Sequence, residues 1–460
     1  MMKHKTILVL LICLLGASAL MLTGQKTDIS GIITEGEKPA IAVPDFRGAG
    51  DAQKVMNTFN ATLWSELDGS GILKMVGKTY YPLQVPQQPA DFRPPSGTSK
   101  LTDWSGAPVS ANDLAFGYSG VTPDGQLVLY GWLYNLSQAT PESAQLIAHS
   151  YFGPLNDDGA RKVAREFAAD ILKQFGATSL GGSKIYFVSD RTGNKEIWSM
   201  DYDGSNQRQL TRYKTITTQP AVSPNGKLVA FNTYPQEMRN GHVVDKNPVI
   251  MIHSTETGNK LAFYNQDSSN VETPDFSPDG QRLFFSVAFD AYAQLCSSNL
   301  QGGDFQRIMR NRFIEISPKV NPKTGRDMLF ISNRAGRQQL WHSNIDGTGA
   351  EMLTAGDGDV ANPSWRPDGR AIAFAWTHGY EIGGFNIFVM DMGSHQYVQI
   401  TKESGKNENP SWAPDGIHLV FASTRGRRSQ IYTMLADGTH VQALTTQGNN
   451  SQPVWAKAIN

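Results

Sequence analysis

Eight of the nine histidines lie beyond the first ten residues, and no two stand at the i, i+2 or i, i+4 spacing that would offer a zinc or manganese ion paired ligands. Asp201-Tyr-Asp203-Gly204 opens like a calcium loop but lacks the later ligands, and an Asp-Gly hairpin turn accounts for it better. Neither a Gly-x-Ser-x-Gly elbow nor a phosphate-cradling glycine loop occurs. The polar residues that do recur stand just before prolines: Thr218 and Gln219, then Asn270, Glu272 and Thr273, then Asn362, Glu408, Asn409 and Gln452. Amides, hydroxyls and two carboxylates bind a partner's polar groups rather than activate a nucleophile. The expectation is therefore a binding site, with no catalytic residue, cofactor or metal.

The prolines belong to a repeat that must position these residues. It reads Pro220-Ala-Val-Ser-Pro-Asn-Gly226, Pro274-Asp-Phe-Ser-Pro-Asp-Gly280, the looser Pro318-Lys-Val-Asn-Pro-Lys-Thr-Gly325, Pro363-Ser-Trp-Arg-Pro-Asp-Gly369 and Pro410-Ser-Trp-Ala-Pro-Asp-Gly416. A half-copy, Pro453-Val-Trp-Ala456, follows. The first prolines are 54, 44, 45, 47 and 43 residues apart, the period of a four-stranded propeller blade. Within a blade, Pro-Asp-Gly makes one reversal, and Ser189-Asp-Arg191-Thr-Gly193, Ser332-Asn-Arg334-Ala-Gly336 or Ser423-Thr-Arg425-Gly426 makes the next. Asp203-Gly204, Asp346-Gly347 and Asp437-Gly438 make the third, and Leu-Thr closes the unit.

The repeat at Lys184–Thr211 lacks a first strand, and the half-copy at Gln452–Ala456 is only a first strand. Joined, they complete one blade and remove an open sheet edge. The reading is a two-domain chain: a small α/β N-terminal domain followed by an all-β six-bladed propeller, closed by pairing of a C-terminal strand with the first blade.

A chain of 460 residues exceeds one core, so a second domain precedes the propeller. Lys3-His4-Lys5, the apolar Thr6–Leu15 and Ala17-Ser-Ala19 read as a signal peptide over 1–24. Residues 25–37 form a polar, flexible segment suited to folding onto a partner, 38–175 the α/β domain, 176–183 a linker and 184–460 the propeller. In the α/β domain a strand is expected at 38–44. Asp51 is expected to cap a helix with Val55, Phe59, Leu63 and Leu67 on one side. A strand at 72–76, a surface loop at 82–99, strands near 114–118 and 127–134 and a helix at 160–175 complete it. Net charge is −1 without a large basic run, against a nucleic-acid groove. Without its signal the chain keeps one cysteine, Cys296, and no internal disulfide.

The chain resembles the TolB family along nearly its whole mature length. The resemblance is carried by Asp201-Tyr-Asp-Gly-Ser-Asn-Gln207, Trp104-Ser-Gly-Ala107, Gly117, Pro123-Asp-Gly125, Pro86-Gln-Gln-Pro89 and the signal peptide ahead of Pro39. Arg165 departs from it, standing where family members often have histidine. The resemblance implies a monomeric periplasmic scaffold of the Tol–Pal envelope system, non-enzymatic and not itself anchored in a membrane. Such a scaffold binds the lipoprotein Pal through the propeller and TolA through the N-terminal segment, and serves outer-membrane integrity and constriction at division. It also implies that Asn270 and Thr273 match Pal-contact positions.

Propeller geometry makes its own statement. First strands are innermost, and their starts share a face with the Ser-x-Arg-x-Gly turns. Thr218, Gln219, Asn270, Glu272, Thr273, Asn362, Glu408, Asn409 and Gln452 should ring the channel mouth, open to a partner's polar loop or helix N-terminus or else capping strands and holding water. Arg191, Arg334 and Arg425 on that face either meet acidic partner residues or hydrogen-bond the neighbouring turn.

Overall fold

The computed structural model describes residues 37–93, 97–261, 263, 270–379, 384–402 and 404–459. The expected signal peptide and most of the segment at 25–37 that the sequence reading expects to be flexible, up to residue 36, lie outside the described residues.

The N-terminal sheet is built around Asp113–Val121 and Leu127–Asn135, antiparallel strands of nine residues each, longer than their apolar centres suggest. Gln145–Gly153 adds a third strand outside Leu127–Asn135. Ala40–Ala42 joins on the other side in parallel, followed by Lys74–Met75. Helices Met56–Asp68 and Asp157–Gln174 cover one face of this sheet, burying Phe59, Leu63, Leu67, Val163, Phe167 and Ile171 against Leu129 and Leu133. Full burial of a phenylalanine such as Phe59 contributes about 2–3 kcal/mol. Gly117 is required where strands and helices meet, because a Cβ there would lie 2.1 Å from the Tyr130 carbonyl oxygen.

Two local expectations change. Asp51 does not cap the helix: a 3-10 turn, Gly50–Val55, leads into it, and the Asp51 carboxylate instead pairs with Lys54 at 2.8 Å. The stretch at 82–99 is not wholly superficial, since Pro89–Phe92 folds into a turn that inserts Phe92 among Phe116, Tyr134 and Trp104 on the second face of the sheet.

Six four-stranded antiparallel sheets form the propeller. In chain order their inner strands are Thr217–Val222, Val271–Phe276, Glu315–Val320, Val360–Trp365, Asn407–Trp412 and Asn450–Ala456, taken below as blades one to six. Blade six is the split one: Asn450–Ala456 pairs with Lys184–Ser189, and Glu196–Asp201 and Arg208–Gln209 complete it. The irregular third copy still builds a blade, because the Asn321 side chain accepts the Lys323 amide at 2.9 Å within the lengthened turn. The glycines ending the five inner turns have φ of 62–73°, the left-handed conformation that a side chain with a Cβ enters at a cost.

A buried threonine locks several outer strands. Thr211, Thr354, Thr401 and Thr445 each accept, through Oγ1, the backbone N–H of the residue fourteen earlier, at 2.8–2.9 Å. The long 54-residue step also finds its cause. Blade one carries, between its second and third strands, an extra hairpin of Gln236–Arg239 and His242–Asp245.

Candidate functional site at the mouth of the channel

Each inner strand breaks register just before its proline, and the residue at the break takes a positive φ. These are Gln219 (55°), Thr273 (54°), Ser317 (56°), Asn362 (53°), Asn409 (53°) and Gln452 (51°). Left-handed backbone is uncommon for residues other than glycine and concentrates where a fold over-determines it. Here the repeated bulge turns six side chains into one central cavity of about 370 Å³, whose walls continue down to the Pro-Asp-Gly turns.

Part of the ring is used internally. Gln452 accepts the Gln219 amide N–H at 2.8 Å through Oε1, Gln219 accepts that of Thr273 at 2.9 Å, and Thr273 Oγ1 accepts that of Ser317 at 3.2 Å. Each side chain thus fastens the backbone of the next blade across four consecutive blades. Asn362 and Asn409 differ: their side-chain amides line the channel and have no hydrogen-bond partner among the described residues. Two open amides, with four N–H donors and two carbonyl acceptors between them, therefore face the same lumen. Deeper in the wall, Lys319 Nζ lies 3.0 Å from Asp275 Oδ1, and Asp275 Oδ2 accepts the Val320 amide at 3.0 Å. Burial pushes the Asp275 carboxyl upward, and Lys319 opposes that shift.

The remaining sequence candidates stand outside the lumen. Thr218, Glu272 and Glu408 pair with Asn232, Ser286 and Ala422 one position before the bulge. Glu272 meets the Tyr234 hydroxyl at 3.4 Å, and Glu408 pairs with Lys406 at 2.9 Å. Asn270 lines a separate cleft of about 740 Å³ beside blade two. Ser317 was not among the sequence candidates. Its position directly before Pro318 matches the other five and is the signal that points to it.

The three repeat arginines serve the fold. Arg191, Arg334 and Arg425 donate through Nε to Ser189, Ser332 and Ser423 at 2.9, 3.2 and 3.1 Å. Each guanidinium also lies over an aromatic ring of its blade, Trp198, Trp341 or Tyr432, at 4.5–4.7 Å. Their outer nitrogens reach the start of the same blade's inner strand, at Asn450, Glu315 and Asn407 respectively.

The N-terminal domain sits on the opposite face. Arg165 joins Glu66 at 3.2 Å and Asp203 at 2.5 Å, and the Tyr202 hydroxyl also donates to Glu66. His418 Nε2 lies 2.7 Å from the Gly69 carbonyl oxygen. These propeller residues belong to the Asp-Gly and Pro-Asp-Gly turns, so the channel mouth is left uncovered by the first domain. Among the described residues, no helix is long and apolar enough to cross a membrane.

Comparison with known proteins adds a family to this geometry. The model of a TolB beta propeller domain matches residues 175–382 and 357–458. A TolB homolog of Chlorobium luteolum is 30% identical over 205 residues, which are 44% of this chain and 43% of that protein. A TolB homolog of Chlorobium chlorochromatii is 33% identical over 175 residues, 38% of this chain and 37% of the other. The matched stretches thus span less than half the length of these curated relatives. The crystal structure of TolB from Acinetobacter baumannii superposes with a TM-score of 0.73 at 20% identity, covering 92% of this chain and 97% of that one, a likeness of fold in both domains.

Proposed function

Because the chain belongs to the TolB family, we propose that it is a non-enzymatic periplasmic scaffold of the Tol–Pal system, docking the lipoprotein Pal on the channel mouth and TolA through its N-terminal segment. In this reading it supports outer-membrane integrity and constriction during division. One observation carries the docking face: six left-handed polar residues converge at an uncovered mouth, and two of them, Asn362 and Asn409, keep open amides. Amides held in a rigid bulge pre-organise hydrogen bonds, so an entering loop or helix end meets donors and acceptors already placed. Glu272 and Glu408 add carboxylates at the shoulder, suited to a partner's backbone N–H groups or basic side chains.

The test is the affinity of the mature protein for the soluble domain of Pal by titration calorimetry. Glu272→Lys and Asn409→Asp should each weaken binding about tenfold or more, as substitutions at the centre of an interface do. Affinities unchanged by both substitutions would remove the mouth from the interface. A pull-down from envelope extract that retained a glycan and no protein would replace the scaffold reading with a carbohydrate-binding or lyase-like one.

A further inference from the structure

The mouth face is unequal around its circumference. The joints entering blades one and three read Arg212-Tyr-Lys-Thr-Ile216 and Arg310-Asn-Arg-Phe-Ile314, and Ile216, Phe313 and Ile314 are exposed. The joints entering blades four, five and six read Ala355-Gly-Asp-Gly-Asp359, Lys402-Glu-Ser-Gly-Lys406 and Thr446-Gln-Gly-Asn449, without a large apolar residue. The extra hairpin of blade one stands in the same apolar sector. Met238 and Val243 are cross-strand partners on one side of it, 68% and 61% exposed, and neither strand pairs with any other among the described residues.

The cleft that holds Asn270 lies on the adjacent blade two. Arg307, Arg312, Tyr292 and Asp290 also line it. Arg307 is propped over Phe289 at 4.2 Å and donates through Nε to Gln294 at 2.5 Å. Neither Arg307 nor Arg312 pairs with a carboxylate among the described residues, so two guanidinium charges face one acid, Asp290. Hairpin, cleft and mouth are joined. Tyr234 at the hairpin base reaches Glu272, and the Val271 amide donates to Pro248 at 3.2 Å.

We propose that this sector, the hairpin tip at Met238 and Val243 with the arginine cleft at Arg307 and Arg312, is a second contact zone for the partner seated on the channel mouth, which lays an acidic segment in the cleft and an apolar side chain on the hairpin. The inference rests on the docking function above and specifies the chemistry of that partner's outer contact. Unpaired guanidinium groups select carboxylates in fork geometry, and exposed apolar pairs beside them provide area that charge alone does not. Charge at the edge of an interface acts chiefly on association rate and salt dependence, whereas the apolar pair acts on residence time.

The experiment measures association and dissociation rates for the soluble domain of Pal on the immobilised mature protein at 50 mM and 500 mM salt. Arg312→Glu should lower the association rate about tenfold at low salt, and the deficit should shrink at high salt. Met238→Asp should raise the dissociation rate about tenfold at either salt. Both residues are exposed, so neither change disturbs the core. Either variant within about twofold of the unchanged protein, while Asn409→Asp still weakens binding, would overturn the second zone and leave the mouth standing. Absence of any binding by the unchanged protein would remove the docking reading and this inference together.

Discussion

Asp113 begins a central strand of the N-terminal domain, buried, and its side chain has no hydrogen-bond partner among the described residues. Burial pushes its carboxyl up to about 6, from 3.8 in an open chain. The ionised form is therefore the one the fold disfavours. The group's favourable contribution is complete below pH 3.8 and is lost as pH rises through 6. Asp113→Asn should stabilise the domain by about 1–2 kcal/mol at pH 7.5 and by nothing measurable near pH 4, read from paired thermal melts. A benefit equal at both pH values would mean that the charge is not its source. The three repeat arginines make a graded series. Arg334 faces the fully buried Glu315, whereas Arg191 and Arg425 face amides of Asn450 and Asn407. Removing Arg334 leaves the buried Glu315 carboxylate with only the Asn311 amide at 3.0 Å and no cation, so Arg334→Met should cost about 3–5 kcal/mol, and adding Glu315→Gln should recover much of that. Arg191→Met and Arg425→Met should cost about 1–2 kcal/mol each, the loss of hydrogen bonds to uncharged partners and of a stacked cation. Denaturant melts giving three equal costs would contradict this ordering.

Among the elements, the strand Asn450–Ala456 has the largest single responsibility. It supplies the inner edge of blade six, and Trp455 Nε1 donates to Ser183 at 3.0 Å across the joint between the domains. Ending the chain after Gly448 should leave Lys184–Ser189 with an unpaired edge. The expected outcome is concentration-dependent association in analytical ultracentrifugation and loss of a single cooperative melt; a monomeric, cooperatively melting product would refute it. This closure was legible because a missing first strand at one end and a lone first strand at the other are complementary fragments of one repeat. Turn chemistry made the rest of the ring legible, since each reversal needs proline, aspartate or left-handed glycine at a fixed place. Elements without such punctuation were not legible. Gln145–Gly153 has Leu146 and Phe152 exposed but Ile147 and Tyr151 buried, so its apolar residues point to both faces. The Gln236–Asp245 hairpin buries no face, and only the 54-residue step betrayed an insertion. Within the site, the polar residues before the prolines were readable, but not which of them line the channel. That depends on the bulge, which rotates Gln219 inward and leaves Thr218 on the shoulder.

At the scale of the whole molecule, the two domains meet partly through charged groups that lie far apart in the sequence, Glu66 and Arg165 with Asp203. His418 is held between Asp415 Oδ2 at 2.6 Å and the Gly69 carbonyl at 2.7 Å, with the Glu66 carboxylate also in its field. Burial lowers its affinity for a second proton, but the acceptor on each ring nitrogen outweighs that, and the net shift is upward from 6.5. For a histidine so raised, the stabilisation is complete below 6.5 and is lost as pH rises through the folded-state value. The contact between the domains should therefore loosen toward alkaline pH. Small-angle scattering should give a larger radius of gyration at pH 9 than at pH 6, and His418→Gln should abolish the difference. A radius independent of pH in the unaltered protein would reject the role assigned to His418.

Gln452, one of the six residues at the mouth, stands on the strand that completes blade six. The full ring of mouth residues and the completion of the fold therefore arrive together. A chain interrupted before residue 450 has at most five of the six residues and no continuous circle to hold them, so under the proposed docking function the partner's full seat exists only in the finished ring.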